Sequence, residues 1–422
     1  MTGGLAATAL PAVVESSDAK LDTLMVIIPD KLSELTRKGE IVPRYYNPGN
    51  LFKRVHIVMT SADVVDPAYV QPMVGDAELT IHSVPSGRRT FLRSWGWRPF
   101  LLRAWAKPIV ALAERVRPAL VRCHGNHLNG FAAAEIKRRL GIPYVISLHG
   151  NPDVDYFRGR RATTWTRKLL GRAVEAIEIL GVRNADFVIA VYSPIVPYLR
   201  KHRILRWAVI HNAVGYGIRH KEDYALGPGP VKVICVGRQQ SQEKDPSHIV
   251  EAVADLANVQ LTLVGTGDLH AELRAKVAAL GISDRVIFHT ALPNERVLEL
   301  YCQSDLVAYC SHNYEISKGS IEAALTGLPI VLNDRDGNPA EELVGPHFML
   351  VPDSREGYRG AMRRLIEDAE LRERLGRAAR SHALAHWRPE TLERRVVELY
   401  RSIAAGQTPS REGRAWANSS KQ

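Results

Sequence analysis

Three stretches in the second half of the chain carry side chains suited to gripping an anion. Val236-Gly237-Arg238 is followed by Lys244 six residues beyond Arg238. A glycine lets the backbone approach a ligand, and an arginine fork with a lysine can hold a diphosphate without a metal. Two solvated charges on a surface loop would look the same. Val264-Gly265-Thr266-Gly267 has the first two glycines of a dinucleotide fingerprint, but His270 stands where the third would fall. A partial match of this kind ordinarily marks a tight turn rather than an NAD site. The third stretch, residues 311–324, follows a strand and enters a helix closed by Gly327 before Pro329. At such a junction Gly319 and Ser320 present N–H groups to an incoming phosphate. Glu322, one turn in, can accept hydrogen bonds from two ribose hydroxyls or simply complement the helix dipole. Position alone leaves both open.

Such turns act together only if strands and helices hold them in one place. In the second half, strands are expected at Val231–Val236, Gln260–Val264, Val286–His289, Asp305–Tyr309 and Pro329–Leu332. Helical patterns at Pro246–Leu256, Leu269–Leu280, Glu295–Gln303 and Ser320–Thr326 alternate with them. The first half shows strands at Leu24–Pro29, Val55–Thr60, Leu120–Cys123, Tyr144–Leu148 and Phe187–Val191. Its helix Gly130–Leu140 is stopped by Gly141 and Pro143. Alternation of this kind implies parallel, doubly wound sheets. The expected division is a leader over 1–20, a Rossmann-like acceptor domain over 21–226 and a Rossmann-like donor domain over 227–388. A helix over 389–405 packs back towards the first domain, and a polar tail spans 406–422. Gly227-Pro228-Gly229-Pro230 reads as the linker.

Taken in order, these residues resemble the retaining glycosyltransferases of family 4, which have the GT-B fold of two Rossmann-like domains facing a cleft. The resemblance rests on Val236-Gly237-Arg238…Lys244-Asp245-Pro246, Leu263–Gly267, Asp284–Phe288, Tyr301…Ser304-Asp305 and Glu315…Glu322-Ala323-Ala324…Gly327–Val331. Ser147-Leu148-His149-Gly150, Ala185–Ala190 and Val209–Ala213 extend it more loosely into the first half. It implies that Arg238 and Lys244 hold the donor diphosphate, that Gly237, Gly265 and Gly267 line the donor site, and that Glu322 binds the ribose. Glu315 would contact the donor sugar, Gly319 and Ser320 the phosphates, and Ala291 and Leu292 the nucleobase; His149 would lie near the reacting carbon. No metal and no other cofactor is implied. Three features depart from the family pattern. Six residues separate Glu315 from Glu322, one fewer than usual, with Tyr314 at the usual place, and Lys318, unusual inside this loop, reads as an added phosphate contact. The family's N-terminal Gly-Gly loop is replaced by Lys38-Gly39-Glu40…Arg44–Asn50.

Composition narrows the partners. The net charge of +11 sits in the first half: residues 1–215 hold 30 Lys/Arg against 17 Asp/Glu, a balance of +13, and the remainder is at −2. Ser86–Pro118 contains eight Lys/Arg and one acid, interleaved with aromatics. Arg88, Arg89, Arg93, Trp95, Trp97, Arg98, Arg103 and Trp105 therefore form a candidate contact with an anionic membrane surface, or alternatively ordinary solvated faces with the tryptophans in the core. No nucleic-acid motif accompanies the charge. No run is long and apolar enough to span a bilayer, and the four cysteines show no paired metal-ligand spacing. Asp153-Val154-Asp155 reads as a solvated turn rather than a manganese site. The expectation is a cytoplasmic enzyme, peripheral on the inner face of the membrane, that moves sugar from a nucleotide donor to a glycan or lipid-linked acceptor in envelope or exopolysaccharide synthesis. A degenerate, non-catalytic sugar-nucleotide-binding protein and a sugar-nucleotide epimerase remain the alternatives.

Overall fold

A computed structural model describes residues 19–87, 90, 102–154, 164–241, 243–312, 316–334 and 341–407. The first seven strands, β1 (Leu21–Ile28), β2 (Phe52–Met59), β3 (Glu78–Ser83), β4 (Leu120–His124), β5 (Tyr144–Leu148), β6 (Phe187–Ala190) and β7 (Trp207–Val209), form one sheet. Its spatial order is β3-β2-β1-β4-β5-β6-β7, and every pair is parallel. The second sheet holds β8 (Val231–Val236), β9 (Val259–Val264), β10 (Val286–His289), β11 (Leu306–Tyr309), β12 (Ile330–Asn333) and β13 (Met349–Val351). Its order is β10-β9-β8-β11-β12-β13, again all parallel. These are the two Rossmann-like domains expected. Helices cover both faces, so the central strands read as unbroken apolar runs; β4, β5, β6, β11 and β12 are buried along their whole length.

Three strands give no such run. Glu78-Leu79-Thr80-Ile81-His82-Ser83 is the edge strand β3, half-buried between exposed ends, while β7 and β13, also at edges, have three residues each. Edge strands bury one side only and need no continuous apolar segment. Two helices, Arg355–Glu367 and Ala369–His386, complete the second domain behind its sheet.

The last helix, Pro389–Ala404, leaves the second sheet and packs on the first. Leu399, Tyr400 and Ile403 are buried, and Tyr400 meets Phe52 of β2 with ring centres 6.5 Å apart. Glu393, on the same helix, takes both arms of Arg44 at 2.8 and 3.1 Å and the Gly49 amide at 2.7 Å. The Arg44–Asn50 segment, whose role spacing does not reveal, is thus the receptor for this helix. Arg44 and Gly49 both take left-handed backbone angles, φ 56° and 63°. For Arg44 that geometry is unfavourable, and the bidentate carboxylate offsets it. A second bridge runs from Glu342 to Ser193, whose N–H and hydroxyl donate at 3.1 and 2.5 Å. Breaking a largely buried pair leaves an uncompensated charge. Glu393→Ala should therefore lower stability by about 2–3 kcal/mol, and Arg44→Lys by less, because it keeps the charge and loses the fork. The urea midpoint of each variant measures this, and an unchanged midpoint for Glu393→Ala would refute the clamp.

Candidate active site

The donor side is built from turns at the C-terminal ends of β8, β9 and β11, where ligands bind in open α/β sheets. Gly237 follows β8 and donates its N–H to Val264 at 2.9 Å. A Cβ on Gly265 would lie 2.0 Å from the Gly237 carbonyl oxygen, and one on Gly267 would lie 2.0 Å from that of Gln239. Both glycines are therefore required by the contact between the two turns. Buried Gln239 knits them further, donating to Gly265 O at 2.9 Å and meeting His270 Nδ1 at 2.7 Å. Beyond it the chain doubles back: Gln240 and Lys244 exchange two backbone hydrogen bonds of 3.0 and 2.9 Å. That hairpin returns Lys244 to the side of Arg238. The result is a recess lined by Gly237, Arg238, Lys244, Cys310, Ser317 and Ser320.

Helix Lys318–Thr326 forms the far wall. Ser317 caps it, and its Oγ and carbonyl accept the Ser320 N–H at 3.0 and 3.1 Å. The Ser320 amide expected to be offered to a phosphate is thus already engaged, and a ligand must displace Ser317 to use it. A Cβ on Gly319 would stand 2.4 Å from the Tyr309 hydroxyl and 2.8 Å from that of Tyr301, so two buried tyrosines demand this glycine. Glu322 is buried one turn on, and Asn294 donates to it at 3.0 Å. Burial raises its carboxyl from 4.5 to about 7, against the opposing pull of Asn294 and Lys318.

The facing wall comes from the first sheet. His124 ends β4 and His149 follows β5; their rings stack with centres 5.0 Å apart. Neither Nε2 has a hydrogen-bond partner among the described residues, although both are shielded from solvent. Burial, then Arg122 and Lys318, lowers His149 to about 3, so the imidazole is neutral at ordinary pH. Asp30, after β1, is reached by the fields of Lys318 and Arg238 from the opposite wall; its pKa is raised by the surrounding protein, more than these cations lower it. Lys318 spans the gap, its Nζ 5.4 Å from the Tyr45 ring centre. Two strand-end clusters, one cationic and one bearing histidines and a carboxylate, thus face one another.

Residues 218–382 match the model of the glycosyl transferases group 1, and residues 53–215 match that of Glycosyltransferase Family 4. Together they cover the chain from β2 to β13. This chain belongs to the family 4 glycosyltransferases. It is similar to alpha-D-kanosaminyltransferase of Streptomyces kanamyceticus, 24% identical over 332 residues covering 72% of this chain and 84% of the relative. Among solved structures it resembles sucrose-phosphate synthase from Thermosynechococcus elongatus, with a TM-score of 0.69 at 18% identity over 92% of this chain and 100% of that one. HepE from Anabaena, in complex with UDP-glucose, gives 0.66 at 17% over 90% and 99%. At such identities the likeness is one of fold, and the fold is GT-B.

In this glycosyltransferase, Gly237, Arg238, Lys244, Gly319, Ser320 and Glu322 gather around one recess or the helix that walls it. Ala291 and Leu292 lie in the loop after β10, just before Asn294, which donates to Glu322; the Leu292 carbonyl packs against Gly39 of the first domain. Glu315 lies outside the described residues, as do Arg88, Arg89, Arg93, Trp95, Trp97 and Arg98. Of the proposed membrane patch, Trp105 is half-buried, packs on the core and donates its indole N–H to Pro85 O at 3.2 Å. Arg103 pairs with Glu135 at 3.1 Å. Asp153 is engaged by Lys201 at 2.9 and 3.0 Å, as befits a turn. Asp30, His124 and Asn294 escaped the sequence reading; Asp30 and His124, each directly after an expected strand, carried a local signal, and Asn294 carried none.

The Glu322 shift has a sign that can be checked. Its folded pKa exceeds its unfolded one, so its contribution is fully present below about pH 4.5 and is lost as pH rises through about 7. Glu322→Gln removes that slope. Between pH 5 and 8 the variant should gain on the parent by an amount on the order of 3 kcal/mol. Unfolding curves at a series of pH values decide it; parallel profiles would mean that the carboxyl is not held protonated.

Proposed function

We propose that this glycosyltransferase moves a sugar from a nucleoside diphosphate donor to an acceptor hydroxyl with retention of anomeric configuration. The observation that carries the reading is the return of Lys244 to Arg238 beside the capped helix that holds Glu322. As the donor bond breaks, negative charge builds on the departing diphosphate, and two fixed cations with a helix N-terminus stabilise it there. Glu322 accepts hydrogen bonds from the ribose hydroxyls. The acceptor oxygen attacks the anomeric carbon on the face from which the diphosphate leaves: the new C–O bond forms as the old one breaks, and a phosphate oxygen takes the acceptor proton. Neutral His149 serves as a hydrogen-bonding group towards the sugar rather than as a charge. Lys318 offers a further cation, and Glu315 a contact to the sugar. In this reading the cations do the work that a divalent metal does elsewhere, and no metal is needed at the diphosphate. UDP-glucose bound to the similarly folded HepE supports a nucleotide-sugar donor.

Thermal shifts with a panel of nucleoside diphosphates and their sugars test the site, because a ligand that binds only the folded chain must raise the melting point. One base should raise it, added Mg²⁺ or Mn²⁺ should not enlarge the shift, and Arg238→Ala and Lys244→Ala should abolish it. Each substitution should cut transfer about 100-fold or more. A protein that binds nucleotide and transfers nothing would be the degenerate binder instead.

For the acceptor, we propose a glycan or lipid-linked molecule of envelope or exopolysaccharide synthesis, presented at an anionic membrane surface. The +13 balance of residues 1–215 is what supports it. Flotation with anionic vesicles at low salt should recover the protein, and neutral vesicles should not. Equal recovery from both, or from neither, would defeat this part of the proposal.

A further inference from the structure

At the wall of the donor recess, where β11 ends, three different metal-ligating side chains meet. Cys310 Sγ lies 3.8 Å from His312 Nε2 and 3.7 Å from Asp353 Oδ2, and His312 Nε2 lies 3.3 Å from the same oxygen. A tetrahedral zinc ion with ligand bonds of about 2.3 Å to sulfur and about 2.0–2.1 Å to nitrogen and oxygen sets its ligand atoms roughly 3.3–3.6 Å apart. The triangle observed has close to those edges. We propose that Cys310, His312 and Asp353 form a zinc site, distinct from the donor-binding cations, with a water as fourth ligand.

The surroundings fit a metal better than three accidental neighbours. His248 Nδ1 contacts the other carboxylate oxygen of Asp353 at 3.2 Å, the kind of outer contact that orients a ligating carboxylate. Burial, then the Asp353 carboxylate, push the Cys310 thiol up, so a bound cation would itself have to hold the thiolate. Borderline-soft zinc suits a thiolate, imidazole and carboxylate set, whereas magnesium and calcium prefer oxygen alone. The sulfur is buried, but both imidazoles are 43% exposed, so an ion can enter from solvent.

The three ligands come from separate parts of the donor domain. Cys310 and His312 open the 311–317 loop, and Asp353 precedes helix Arg355–Glu367. His312 also donates its backbone N–H to Glu243 at 2.8 Å, in the hairpin that carries Lys244. Zinc here would rivet the start of the donor loop to that hairpin and to the next helix, a structural role that leaves the diphosphate to Arg238 and Lys244.

The untagged full-length protein, stripped with a chelator and titrated with Zn²⁺ against a chromophoric competitor, should bind one equivalent with submicromolar affinity. With Co²⁺ it should show four-coordinate visible bands and a thiolate-to-metal charge-transfer band in the near ultraviolet. Cys310→Ser should remove the charge-transfer band. His312→Ala, at an exposed side chain that folding tolerates, and Asp353→Asn should each weaken binding at least about 10-fold. Glu175→Gln, in a separate Asp153–Glu175–His202 cluster, should leave affinity unchanged. Binding weaker than about 10 µM, a cobalt spectrum without the thiolate band, or affinity unaltered by His312→Ala would overturn the site. None of these readouts uses nucleotide or transfer, so the metal site stands or falls apart from the function proposed above.

Discussion

Two parallel sheets have no reason to face one another unless something spans them, and here a carboxylate on the last helix does so. Glu393 holds the Arg44 fork and the Gly49 amide together, and Tyr400 and Ile403 press the same helix onto the first sheet. Everything chemical depends on that contact. It sets the strand ends bearing Asp30, His124 and His149 against those bearing Arg238, Lys244 and Lys318. The left-handed backbone of Arg44 is the local cost of the arrangement, tolerated because a desolvated bidentate pair outweighs it.

Within the donor domain the decisive constraint is steric. Gly265 and Gly267 let the β9 turn lie on the β8 turn at distances no side chain would allow, and Gln239 ties the two together. The cations gain their positions from this contact rather than from flexible reach. A preorganised pair loses little by reorganising as charge develops, which is the condition for strong electrostatic stabilisation.

The same desolvation acts oppositely on the two walls. It holds His149 neutral and pushes Glu322 towards neutrality, so at rest the site keeps its cations while its carboxylate is poised to ionise. The donor proposed above, with two phosphates and two ribose hydroxyls, would supply what each group lacks: anionic charge for Arg238 and Lys244, hydrogen-bond donors for Glu322.

How much of this could be read from the chain alone differs from element to element. Strands β5, β8 and β10 were legible to the residue: burial on both faces writes an unbroken apolar run in central β5, β8 breaks its run only at exposed Lys232, and edge strand β10 still keeps Val286-Ile287-Phe288 together. Edge strand β3 and the three-residue β7 and β13 were not, since one-sided or brief burial leaves no pattern. The placing of Arg238, Lys244 and Glu322 at strand-to-helix turns was also legible, because fixed charge, glycine placement and such a junction are local properties. The glycines also have a duty that the sequence hides: Gly265 and Gly267 serve backbone contact, and Gly319 makes room for Tyr301 and Tyr309. Only tertiary structure could reveal that Arg44 receives Glu393, that Asn294 holds Glu322, or that Cys310 meets Asp353. Those pairs lie far apart in the chain, and what joins them is the folding of separate elements onto common edges. Local sequence determined which elements form and which charges they carry; the packing of the two sheets decided which of them meet.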